Sequence, residues 1–322
     1  MAQEIVIVAG PPGGGKSTYV QDLVAKGYAR FNRDTLGGSL KAGGLSYEGV
    51  RRAFAQGTRT FVLDNVYASK ASRALVIALG NELGLPVRCL WLDTTESQAQ
   101  FFAARRQFQR YGKLFTAEDY KAHRDDPNMF PPAAQFAYWK QVEPAEMLEG
   151  FFSVEHIPVT ITLGPEYTNK AVIFDFDGTL RLTKSGAKYP SDPSDIVTLP
   201  GRKEKLQALA AQGTLMLGAS NQSGCSKAPG DPKYVSVANA QRCFEATLQM
   251  LGVRMEEVLF APDPAGVPQT YFRKPCPGMG VYFIEKYKLN PSQCLYVGDR
   301  GEDKTFAARC GFQFQTAEEF FQ

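Results

Sequence analysis

The sequence predicts an α/β protein of two domains, each a parallel sheet with helices on both faces. Three observations carry that expectation. Two short runs, Ile5 to Ala9 and Ala171 to Phe174, are apolar at every position and lead directly into loops dense in glycine or aspartate. Runs of that kind suit strands buried on both faces. Each is followed by alternating strand-like and helix-like segments, the pattern of parallel strands joined by helical crossovers. The length of 322 residues exceeds one ordinary core and suits two.

In the first half, Ile5 to Ala9 is followed by the loop Gly10 to Ser17. A helix comes next, with Tyr19, Val20, Leu23 and Val24 as its apolar stripe and Gly27 suited to its end. Phe61 to Leu63 and Val87 to Leu92 read as further strands, and Glu96 to Arg110 as a helix carrying Arg105, Arg106 and Arg110. Residues 150–169 contain Pro158, Gly164 and Pro165 just ahead of the second apolar run. A junction near residue 165 follows, giving domains 1–165 and 166–322. In the second half, Thr214 to Ala219, Val258 to Phe260 and Cys294 to Val297 read as strands, and Ala238 to Leu251 as a helix.

Composition excludes several classes. The six cysteines include no CxxC pair, and with only two histidines a zinc cluster is disfavoured; reduced thiols in a cytoplasmic protein are the simplest reading. No stretch approaches the roughly 18 uninterrupted apolar residues of a membrane span, and the first residues lack the basic flank of a leader. A net charge of +3 allows a nucleotide or nucleic-acid partner without requiring one.

Two loops carry chemistry. The run from Gly10 to Ser17 fits GxxxxGK[ST] in full, with Gly10, Gly13, Gly14, Gly15, Lys16, Ser17 and Thr18 as the nucleotide-binding set. The glycines let backbone N–H groups turn in around the phosphates of ATP. Lys16 reaches the β- and γ-phosphates, and the Ser17 hydroxyl ligates Mg²⁺. The bland alternative is a glycine-rich turn without a ligand. Asp34 and Asp64 are carboxylates that could accept the proton of an attacking hydroxyl or stand near the metal and substrate, against ordinary capping roles. Arg105 and Arg106 are candidates for a lid that meets the transferring phosphoryl group, against a solvated basic face.

In the first half, the phosphate loop, the run Asn32 to Gly37, Asp64-Asn65 and Ala71-Ser72-Arg73 resemble the kinase domain of polynucleotide kinases, a P-loop NTPase fold. That resemblance implies Asp34 as general base. In the second half, Asp175-Phe176-Asp177-Gly178-Thr179 matches DxDGT, the first signature of the haloacid-dehalogenase phosphatases, a Rossmann-like fold. The resemblance implies Asp175 as nucleophile and Asp177 as acid/base. It also implies Ser220 and Lys274 at the phosphoryl group, and Asp299 and Asp303 holding Mg²⁺ with Asp175 and Asp177.

The runs from Ser185 to Pro190, Ser220 to Gly224 and Phe272 to Met279 are similar to the 3'-phosphatase domain of polynucleotide kinase/phosphatases. Asn221, and Lys227 where that family often has an arginine, become substrate contacts. The two resemblances together imply ATP-dependent phosphorylation of 5'-hydroxyl ends and hydrolysis of 3'-phosphates on DNA or RNA, with a ligase acting downstream. Two other readings stay open: a nucleoside or sugar kinase fused to a metabolite phosphatase, and a nucleotide-dependent binding module with inactive sites.

Overall fold

Alternating apolar side chains build the first sheet outward from its centre. In β1 (Glu4–Ala9) every residue is buried. It pairs in parallel with β3 (Thr60–Asp64) and β4 (Val87–Asp93), and β2 (Ala29–Phe31) and β5 (Ser153–Pro158) complete the order β2-β3-β1-β4-β5. Ile5, Ile7 and Ala9 share one core with Phe61, Leu63, Cys89 and Trp91. That core is closed by α2 (Leu45–Ala55) through Tyr47 and Val50, and by α3 (Lys70–Leu83) through Val76, Ile77 and Leu79. Val6, Val8, Val62, Leu90 and Leu92 turn to the opposite face, against Val20 and Leu23 of α1 (Lys16–Ala25). Both faces are therefore covered, as strands apolar at every position require.

The structure is a computed structural model that describes residues 3–32 and 44–322, so Asp34 lies outside the described residues. The chain divides into two compact units, Met1–Phe102 with Asp125–Ile161, and Ala103–Arg124 with Thr162–Gln322. The domains expected from the sequence, 1–165 and 166–322, put residues 103–124 in the first, whereas this division groups them with the second. Those residues comprise most of α4 (Glu96–Tyr111) and all of α5 (Ala117–Ala122), and they group with the C-terminal unit. The stretch read as a junction also contains β5. This edge strand carries the polar sequence SVEHIP and pairs on one side only, with β4, so it lacks the apolar run that marks a central strand.

In the second unit β6 (Val172–Phe174) is the centre of an all-parallel sheet. Its order is β10 (Glu257–Ala261), β9 (Met216–Asn221), β6, β11 (Leu295–Gly298) and β12 (Gln313–Thr316). A separate antiparallel pair, β7 (Arg181–Thr183) and β8 (Ile196–Thr198), follows the aspartate loop. Phe174, Met216 and Val297 pack with Leu206 of α7 (Arg202–Ala211) and with Ala240, Phe244 and Leu251 of α8 (Val237–Leu251). On β11 the neighbouring Tyr296 meets Phe306 of α10 (Gly301–Cys310), their ring centroids 5.0 Å apart. Among the described residues no helix is long and apolar enough to cross a membrane.

Candidate active sites

In each sheet the first strand lies at the centre, and the chain builds strands on one side of it before crossing to the other. The carboxyl end of such a strand opens on a crevice between diverging crossovers, the place where ligands bind in open α/β sheets. The glycine loop follows β1 and the aspartate loop follows β6, so both motifs stand at that position.

The glycine loop runs from Gly10 to Gly15 and enters α1 through Gly15, whose φ of 88° lies in the left-handed region open to glycine. Lys16 curls back over the loop, its Nζ donating to the carbonyls of Gly10 (3.0 Å) and Pro11 (2.9 Å). Two side chains from far along the chain also reach the loop. Thr94 Oγ1 donates to Gly14 O (2.8 Å) and Gln135 Nε2, on α6 (Pro132–Gln141), to Pro12 O (2.9 Å). Ser17 and Thr18 are exposed on the first turn of α1. Asp64 is buried at the carboxyl end of β3 and paired with Arg30 of β2.

The aspartate loop holds a buried charged cluster. Lys274 Nζ donates to Asp175 Oδ1 (2.8 Å), Asp303 Oδ1 (2.7 Å) and the Tyr296 hydroxyl (2.7 Å). Burial pushes the Asp175 carboxyl up to about 7; Lys274 works against that shift and Asp303 adds to it. Burial also opposes the charge on Lys274, but the two carboxylates outweigh it and hold the ammonium above the usual lysine range. Asp175, Asp299 and Asp303 can place one oxygen each within 4.8 Å of one another. Three converging carboxylates suit a hard divalent cation such as Mg²⁺. Burial raises Asp299 as well, with Arg300 opposing. Gly178, at φ 90°, lets Asp299 approach: a Cβ there would lie 2.2 Å from Asp299 Oδ2.

Asp177 is not one of those three carboxylates. Its Oδ1 accepts from Arg181 Nε (2.7 Å) and its Oδ2 from Gln222 Nε2 (2.6 Å). Arg181 is fully buried and also donates to Thr247 Oγ1 (3.0 Å), with its guanidinium 4.7 Å from the Phe244 ring centroid. Ser220 is buried at the end of β9, 3.3 Å from Gln222 Nε2. Asn221 lies on the wall of the cavity shared by Asp175 and Lys274 and also braces the lysine. Its side-chain amide donates to Lys274 O and accepts from Lys274 N, both at 3.0 Å, and so fixes the backbone that presents the ammonium. A cavity of about 130 Å³ opens over Asp175, Asp177, Ser220 and Lys274, with Lys188, Arg273 and Arg300 also on its wall. Lys227 is exposed and does not line it.

The arginines expected on a nucleotide lid stand on α4. Arg105 and Arg106 both belong to the C-terminal unit. Arg105 Nε donates to Glu285 Oε1 on α9 (Gly278–Tyr287) at 2.7 Å, and its other nitrogens reach Thr162 O and the Tyr167 hydroxyl, each at 3.3 Å. Glu285 is only 3% exposed, so its charge needs a cation, and no feature near Arg105 in the sequence announces that partner. The sequence reading also missed Thr94, Gln135, Arg181, Gln222 and Tyr296. Gln222 alone carried a signal, standing beside Ser220-Asn221.

Comparison with known proteins finds matches over both halves of the chain. Residues 170–321 match the family model "Polynucleotide kinase 3 phosphatase" and residues 5–126 the model "AAA domain". A bifunctional polynucleotide phosphatase/kinase of Schizosaccharomyces pombe is 28% identical over 157 residues, 48% of this chain and 34% of that protein. The chain thus spans about a third of that relative's length. A D-glycero-beta-D-manno-heptose-1,7-bisphosphate 7-phosphatase of Pasteurella multocida is 27% identical over 140 residues, 42% of this chain and 73% of that one. The solved structure of a Pnkp1/Rnl/Hen1 complex aligns with 98% of this chain and 96% of its own, at 16% identity and a TM-score of 0.35. The chain thus joins a segment similar to the polynucleotide kinase 3 phosphatase family, residues 170–321, to one similar to an AAA domain, residues 5–126.

Proposed function

We propose that the chain heals nucleic-acid ends, phosphorylating 5'-hydroxyls with ATP and removing 3'-phosphates, to leave ends that a ligase can join. The observation that carries this reading is the buried Asp175–Lys274–Asp303 cluster, set in a segment of the 3'-phosphatase family and accompanied in the same chain by a complete phosphate loop.

At the aspartate loop, Lys274 occupies Asp175 Oδ1, and Oδ2 attacks phosphorus. The new Asp–O–P bond forms as the bond from phosphorus to the 3'-oxygen breaks, and Asp177 gives the leaving oxygen its proton. Asp177 then takes a proton from water, which attacks phosphorus and releases inorganic phosphate and the Asp175 carboxylate. Arg181 and Gln222 hold both oxygens of Asp177 and keep it aimed through the two steps. Ser220 and Lys274 bind the phosphoryl oxygens. Asp175, Asp299 and Asp303 would hold Mg²⁺, which when bound offsets the repulsion between carboxylate and phosphate.

At the glycine loop, backbone N–H groups and Lys16 receive the phosphates of ATP, and Ser17 offers its hydroxyl to Mg²⁺. Asp34 is the base that the family resemblance supplies, and Asp64 stands at the end of β3 for the acceptor side. In the C-terminal unit, Lys227 remains a contact for the strand outside the cavity.

The likeness to a heptose-bisphosphate phosphatase supports a second reading, in which the C-terminal unit acts on a sugar phosphate. One assay separates the two. Incubation with ATP, Mg²⁺ and an oligonucleotide bearing 5'-hydroxyl and 3'-phosphate ends is expected to convert both ends. A chain that alters neither end, or that hydrolyses a heptose 1,7-bisphosphate with a higher kcat/KM than the oligonucleotide, overturns the nucleic-acid reading.

A further inference from the structure

The carbonyls of the glycine loop are tied down more fully than the motif itself requires. Lys16 holds those of Gly10 and Pro11, and Gly14 N also donates to Pro11 O (2.9 Å). The remaining side-chain ties come from outside the motif: Gln135 on Pro12 O and Thr94 on Gly14 O. Both donors are buried, Gln135 at 0% and Thr94 at 3% exposure, and they stand 123 and 80 residues from the carbonyls they hold.

A trans peptide is planar, with its C=O and N–H pointing in opposite directions. Holding Pro12 O therefore sets the direction of Gly13 N–H, and holding Gly14 O sets that of Gly15 N–H. The turn closed by Gly14 N–H on Pro11 O orients the Pro12–Gly13 peptide only in part, and the Gly14–Gly15 peptide, flanked by glycine on both sides, rotates with little steric resistance. Gly14 N–H is already spent on Pro11 O. The N–H groups of Gly13 and Gly15 are thus the ones whose aim depends on Gln135 and Thr94.

We infer that Thr94 and Gln135 are positioning residues of the phosphate site: by anchoring the carbonyl side of the loop they turn the Gly13 and Gly15 N–H groups toward the polyphosphate of a nucleoside triphosphate. The inference rests on reading this loop as an ATP site. It adds that the affinity for the phosphates is set in part by two side chains that never touch them. Preorganised N–H donors bind an anion without first reordering the loop, and the loss should appear in ATP binding rather than in use of the acceptor.

The test compares the full chain with Thr94→Val, Thr94→Ser and Gln135→Met by calorimetric titration with ATP and adenosine, and by kinase kinetics. Thr94→Val keeps the shape and removes the hydroxyl. It should weaken ATP binding and raise the KM for ATP by roughly tenfold, the scale of one buried hydrogen bond. Adenosine affinity and the KM for the oligonucleotide should change less than twofold, and Thr94→Ser should restore ATP binding. Gln135→Met should behave as Thr94→Val does, and it decides the matter if Thr94→Val does not fold. ATP affinity unchanged in both variants overturns the inference, as does equal loss for ATP and adenosine or equal loss in Thr94→Val and Thr94→Ser. Failure of the wild type to bind ATP overturns the nucleotide reading itself.

Discussion

Asp175→Asn should abolish 3'-phosphate hydrolysis, by about 10⁴-fold or more as for other lost nucleophiles, while ATP-dependent 5'-phosphorylation continues. An amide oxygen cannot displace the ester and carry the phosphoryl group as a stable acyl phosphate, so the covalent step has no substitute. The environment sharpens the expectation. Asp175 is nearly fully buried, and Lys274 reaches its Oδ1 at 2.8 Å. In the variant the ammonium keeps Asp303 and Tyr296 as partners, so the fold should survive. The check is single-turnover hydrolysis of a 3'-phosphorylated oligonucleotide, together with 5'-phosphate transfer in the same preparation. Hydrolysis surviving near the wild-type rate would move the nucleophile elsewhere. Loss of both activities with an unchanged thermal transition would overturn the independence of the two chemistries.

Lys16→Ala should do the converse, lowering 5'-phosphorylation by about 10³-fold, the scale of a lost preorganised charge contact, with 3'-dephosphorylation retained. Two effects combine. The β- and γ-phosphates lose their cation, and the carbonyls of Gly10 and Pro11 lose the donor that holds them at 3.0 and 2.9 Å. Lys16→Met keeps the stem and removes the ammonium that serves both purposes, so it should lose as much as Lys16→Ala. Lys16→Arg keeps the charge in a planar fork that does not match the compact ammonium. Initial-rate kinetics at saturating oligonucleotide and varied ATP measure the loss. A normal rate in Lys16→Ala would remove the loop from the reaction.

Much of this architecture could be read from residues alone, where burial on both faces forced an unbroken apolar run. Ile5 to Ala9 forms β1 with one residue added at its start, and Ala171 to Phe174 forms β6 with one removed. The motifs were legible because phosphate chemistry demands particular residues at fixed spacing: Lys16 beside the glycines, and Asp175 two before Asp177. Elements without such demands stayed hidden. The edge strands β5 and β12 carry polar residues on sides that pair with nothing, and β2 and β7 span only three residues each. The supporting shell was hidden for another reason. Thr94, Gln135, Arg181 and Tyr296 reach their partners through tertiary packing, and a threonine or tyrosine at a strand end or in a strand is ordinary in isolation. Arg105 is a further case: its pairing with Glu285 leaves no sign in the basic helix that carries it.

That pairing bears on how the gene could be divided, in the laboratory or in evolution. Glu285 receives Arg105 from 180 positions earlier, and Gln109 reaches its second oxygen at 3.2 Å. A cut at 161/162 would leave residues 103–124 on the wrong fragment. Residues 162–322 alone would then lack Arg105 and Gln109, the α4 partners of Glu285, and the packing that comes with them. A domain's whole stability is only about 5–15 kcal/mol, so the fragment would be fragile. Grafting residues 162–322 into another protein therefore means carrying residues 103–124 along, or replacing Glu285 with an apolar residue in the same step.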